Sequence, residues 1–121
     1  MNKTIKVGIM SQEQYKARTI SIVKGEYKPK KDEPKIWFSS LKSMAQILSN
    51  ENQELLNIIL KNKPQSIKEL EDLTGRAKSN LSRTLKTLQN YGIVELNKKN
   101  NSLVPKVLAT HFRVEFGLDA A

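Results

Sequence analysis

Cysteine is missing from the 121 residues. Disulfides, thiolate metal sites and cysteine nucleophiles are excluded together. Histidine occurs once, at His111, which cannot build a His-rich metal site and reads as structural. There is no Gly-rich phosphate loop, no G-x-S-x-G elbow and no pair of histidines. The adjacent carboxylates Glu71 and Asp72 lie amid lysines and read as solvated. The expectation is a protein that is not an enzyme, with no catalytic residues, no metal and no cofactor. No apolar run approaches the ~18 residues of a membrane span. The first stretch, "MNKTIKVGIMSQEQ", is basic but alternates and then turns polar, unlike a signal peptide. A cytoplasmic protein with no membrane partner is expected.

The most informative absence is one of sign. No Asp or Glu occurs from residue 73 through 94, whereas Arg76, Lys78, Arg83 and Lys86 all fall there. An ordinary solvated helix of this length mixes the signs. Over the whole chain, 21 basic and 12 acidic residues leave a net charge of +9. The excess sits in two blocks: residues 1–38 hold nine basic and four acidic groups, and residues 61–106 hold ten and four. Such a chain attracts polyanions, nucleic acid before membrane.

"TIKVGIM" at 4–10 alternates Ile5, Val7 and Ile9 with Lys6 and Gly8, the period of a strand with one buried face. Ser11 then caps a helix, with Gln14 at capping-box spacing. This helix runs to about Lys24 with Tyr15, Ile20 and Val23 as its apolar positions, and Gly25 ends it. Residues 1–27 thus form a strand-helix arm. "EYKPKKDEPK" at 26–35 reads as extended, with a linker at 28–35. "IWF" at 36–38 returns to apolar character, and Trp37 and Phe38 are expected to pack.

Four helices follow. Ser39 or Ser40 caps the first, with Leu41, Met44, Ala45 and Leu48 at helical spacing, and Asn50 and Glu51 break it. The second spans about Asn52 to Asn62, and Pro64 ends it. Ser66 caps the third, with Glu69 at the capping-box position and Ile67, Leu70 and Leu73 turned inward. Gly75 closes it through a left-handed turn. The fourth spans about 78–90, and Tyr91 and Gly92 stop it. "IVEL" at 93–96 and "SLVPKV" at 102–107 then form a hairpin joined by "NKKNN", a basic tip. Pro105 marks an edge or a strand end. In "LATHFRVEF" at 108–116, Phe112, Val114 and Phe116 alternate with Arg113 and Glu115. That strand has no local partner. The strand at 4–10 is its natural one, within a chain or across a homodimer, and 108–121 is expected to dimerise.

Helix, helix, glycine turn, helix and hairpin is the order of a winged helix-turn-helix, here over 36–107. The expected class is mainly α with small β. At about 100° per residue, Leu81, Leu85 and Leu88 share one direction. Ser79, Arg83, Lys86 and Asn90 stand opposite, with Asn80 at the edge. Serine permits close approach, arginine pairs with guanine and asparagine with adenine. Ser79, Asn80 and Arg83 are therefore the candidate base contacts in the major groove. Arg76, Lys78 and Lys86 are the candidate phosphate contacts, joined by Lys98 and Lys99 from the hairpin tip.

"SIKELEDLTGRAKSNLSRTLKTLQNYGIVEL" resembles the core of MarR-like winged-helix transcription regulators. The likeness lies in the Ser-capped helix, the "TG" turn, "S-x-x-L" and "L-x-x-L" in the recognition helix, and "YGIVEL" entering the wing. The wider span, about 33–118, resembles a smaller prokaryotic group, some of whose members are antitoxins encoded beside small toxins. The resemblance implies sequence-specific binding of double-stranded DNA by an autoregulatory repressor. It also implies a rival role, an antitoxin that sequesters a small toxin-like protein. MarR proteins dimerise through long terminal helices, where this chain offers strands at 4–10 and 108–116.

Overall fold

The computed structural model describes residues 3–118. The chain is mixed α/β, with five helices and two small sheets among the described residues. Strand β1 (Thr4–Ile9) leads into helix α1 (Gln12–Val23) and then strand β2 (Ile36–Phe38). Helices α2 (Leu41–Ile47), α3 (Asn50–Asn62), α4 (Ile67–Thr74) and α5 (Lys78–Asn90) follow. Strands β3 (Val94–Lys99) and β4 (Ser102–Val107) form a hairpin, and β5 (His111–Glu115) ends the order. No described helix is long and apolar enough to cross a membrane.

Serines start four of the helices. Ser11, Ser40, Ser49 and Ser66 each accept a hydrogen bond from the backbone N–H three residues on, filling one of the orphan donors of a first turn. Around Ser11 the capping box is complete, with Gln14 reaching back. Ser49 corrects one expectation: Asn50 and Glu51 do not break a helix but form the first turn of α3. At the far end of α3, Lys63 is left-handed at φ 48° and Pro64 follows. Gly75, at φ 74°, closes α4 as expected.

The first sheet has the order β2-β1-β5 and both pairings are parallel. Val7 is the hinge of its register, opposite Ile36 on one side and Val114 on the other. The strands at the two ends of the chain therefore pair within one chain, which settles the choice between intrachain and interchain pairing for them. "IWF" contributes a third strand, too short for a period to reveal it. One sheet face carries Ile5, Val7, Ile9, Ile36, Phe38 and Phe112, which join the helical core. That core is built from Leu55, Leu56 and Ile59 of α3, Ile67 and Leu70 of α4, and Leu81, Leu85 and Leu88 of α5. Phe38 stacks on Tyr91 at 4.6 Å between ring centroids, tying sheet to helices.

The other sheet face is polar except at Trp37. Its indole lies directly over Gly8, where no Cβ would fit. The Arg18 guanidinium sits 5.3 Å from the centre of the Trp37 ring and pairs with Glu33 at 2.8 Å. This pins α1 and the 26–35 arm over the sheet. The pinning turns α1 round relative to the expectation. Gln14, Arg18, Ser21 and Ile22 are its partly covered positions, while Tyr15, Ile20 and Val23 face solvent. Three more apolar positions are corrected. Leu73 is exposed because α4 buries only Ile67 and Leu70. Leu41 and Ala45 also point outward, since α2 packs through Met44, Ile47 and Leu48.

Candidate nucleic-acid interface

Helix α5 occupies 78–90, the span expected from its sequence, and buries Leu81, Leu85 and Leu88 completely. These three anchor it against α4 and β3. An anchored leucine stripe leaves the opposite side of the helix to solvent. Lys78, Ser79, Asn80, Arg83, Lys86 and Asn90 are all exposed there.

The flanks of that surface differ. On one side, Arg83, Thr84 and Thr87 border a recess shared with Ile47 of α2 and Asn52 of α3. On the other, Ser82, Lys86 and Gln89 border a cleft against Leu96 and Leu103 of the hairpin. Ser82 and Gln89 were not among the candidates from sequence. Their angles on the helix placed them between buried and exposed, and only the position of the hairpin decides that they line a cleft.

The hairpin departs from its expected form. Lys98 and Lys99 lie in β3, and the turn is Asn100–Asn101 alone, both left-handed at φ 49° and 66°. Asparagine tolerates that region, and a two-residue turn with both φ positive matches strand twist. Successive strand residues point to opposite faces. Lys98, opposite Leu103, shares the face of Val94 and Leu96, toward α5. Lys99 lies with Glu95 on the other face. Pro105 sits within β4 opposite Leu96, in a two-stranded sheet where both strands are edges.

Two positions change character in three dimensions. The Arg76 guanidinium donates to the Glu51 carbonyl at 2.7 Å, so this arginine braces α5 to the start of α3. Glu71 is not merely solvated. Ala77, the N-cap of α5, offers no side-chain bond, and the Glu71 carboxylate accepts from the Lys78 N–H at 3.2 Å instead. A carboxylate favours a helix N-terminus. The stretch without acids along the chain therefore begins, in space, beside one acid from α4.

These elements define a class by architecture: a mixed α/β chain in which α5 packs on α4 and β3, with its leucine stripe buried and its other face open to solvent. The chain belongs to the HVO_A0114 family, whose family model matches residues 47–114, from the last turn of α2 through most of β5. Comparison with curated proteins and with solved structures gives no match.

Proposed function

We propose that this chain is a sequence-specific DNA-binding transcription regulator of the winged helix-turn-helix kind, similar to the MarR-like regulators. In this reading α3, α4 and α5 form the helical core, α5 enters the major groove, and the β3–β4 hairpin is the wing. The observation that carries the reading is the exposed face of α5. It presents three cations and three short polar side chains, with no acidic residue of its own, beside a hairpin whose α5-facing side ends in Lys98. Ser79, Asn80 and Arg83 reach base edges. Lys78, Lys86 and Lys98 hold phosphates. Arg76 acts through its brace to Glu51, positioning α5, more than through a phosphate.

In the autoregulatory repressor reading, the operator lies at the promoter of the chain's own gene. The test is footprinting on that promoter, followed by titration of the protected duplex. Arg83→Ala should cost about 1–3 kcal/mol on the protected site and relax base preference there. Equal affinity for protected and scrambled duplexes, or an unaltered Arg83→Ala protein, would sink the reading. Co-purification with a small acidic protein encoded beside it, in place of operator binding, would favour the antitoxin role.

A further inference from the structure

Among the described residues, β5 is an outer strand of the first sheet, and its far edge carries no strand. Exposed apolar side chains lie on it and just beyond it: Val114, Phe116 and Leu118 are 43%, 54% and 93% exposed. The other outer strand, β2, is only three residues long, a common protection against edge pairing. β5 is longer, with five residues, and has no proline; its edge charges are one of each sign, Arg113 and Glu115.

The sequence of this edge is its own complement. Phe112-Arg113-Val114-Glu115-Phe116 reads the same backwards except that the charge changes sign. An antiparallel strand placed against a copy of itself brings residues into pairs related by a twofold axis, each pair on one sheet face. With the axis at Val114, Phe112 meets Phe116 of the second copy and Arg113 meets its Glu115, twice over. Moving the axis to Arg113 or to Glu115 sets like charges against each other. Moving it by half a step sets charged residues against apolar ones and mismatches the faces. Of these registers, only the one about Val114 satisfies both the charge and the face requirement, and it alone sets each Arg113 against a Glu115.

We infer that the free edge of β5 is a homodimer interface, in which two copies pair antiparallel about Val114 into one six-stranded sheet. Val114 and Phe116 are then covered by their counterparts. Arg113, on the polar face, gains the second copy's Glu115, which already pairs with its own Lys6 at 3.3 Å. The axis stands normal to the sheet, so both helical layers lie on the same side of it. The inference stands independently of the DNA reading and is measured without DNA.

The test is sedimentation velocity on the full chain over concentrations reaching about 100 micromolar. The wild-type chain should be dimeric in that range. Arg113→Glu and Glu115→Arg, each placing like charges in both pairs, should weaken the dimer at least roughly tenfold. The double exchange should restore it, and within each chain Lys6 keeps an acidic neighbour at position 113. A monomeric wild type, single variants that dimerise like wild type, or a double exchange that fails to rescue would each overturn the inference. A second measurement does not depend on charge variants that fold. The chain has no cysteine, so Val114→Cys puts a lone thiol at the axis. It should cross-link through a short bis-maleimide far faster than Thr19→Cys on α1, and equal rates would overturn the interface.

Discussion

Gly8 holds together two parts of the molecule that lie far apart in sequence. Trp37 rests on it, Arg18 rests on Trp37, and Glu33 holds Arg18. Gly8→Ala pushes a methyl into the indole, and overpacking of this kind costs about 1–3 kcal/mol; a urea midpoint unchanged from wild type would contradict that contact. Arg76→Ala should lower stability by about 0.5–1.5 kcal/mol through loss of its bond to the Glu51 carbonyl. It should do so with a smaller loss of DNA affinity than Lys86→Ala, as fluorescence anisotropy would measure. At this scale the sequence was informative about which residues share a helix face and silent about which face is covered. Leu81, Leu85 and Leu88 pointed inward as read. Tyr15, Ile20, Val23 and Leu73 did not, because periodicity groups residues by direction and only a packed neighbour selects the direction that is buried.

Among the elements, ends were more legible than interiors. Serine caps, Gly75 and Pro64 act within a turn or two of the chain, so they are readable locally. The bounds of α5 are as expected because Gly75 and Gly92, both at positive φ, punctuate the chain on either side of it. The α3 C-terminus remains strained, with Lys63 at positive φ. Lys63→Gly should relieve it and raise stability by about 1 kcal/mol, visible as a higher melting temperature. Strand β2 escaped notice because three residues carry no period. The hairpin was legible in place, yet its lysines belong to a strand rather than a loop. That distinction yields a sharper expectation than a basic tip does. Lys98→Ala should reduce the salt slope of DNA binding by about one, whereas Lys99→Ala, on the opposite face, should leave it nearly unchanged. Equal effects of the two would place the hairpin differently against DNA.

Across the whole molecule, the sheet joins residues from both ends of the chain to a helical core between them. Val7, Phe38 and Leu55 belong to one buried cluster. The termini and the central helices should therefore unfold together. Trp37 fluorescence reports the sheet and far-ultraviolet circular dichroism reports the helices. Their thermal transitions should coincide, and two separated transitions would show that the sheet and the helices fold as independent units.

The sequence by itself determined the presence of the helices, the serine caps of three of them, the leucine stripe of α5 and the basic character of its other side. Those features depend on contacts a few residues apart, which local chemistry dictates. Tertiary structure decided the rest. It placed β1 between β2 and β5, because parallel pairing joins segments that no local pattern connects. It turned α1 round through Arg18, it brought Glu71 to the start of α5, and it left one edge of β5 open. Each of these depends on what packs against a residue from a distant part of the chain.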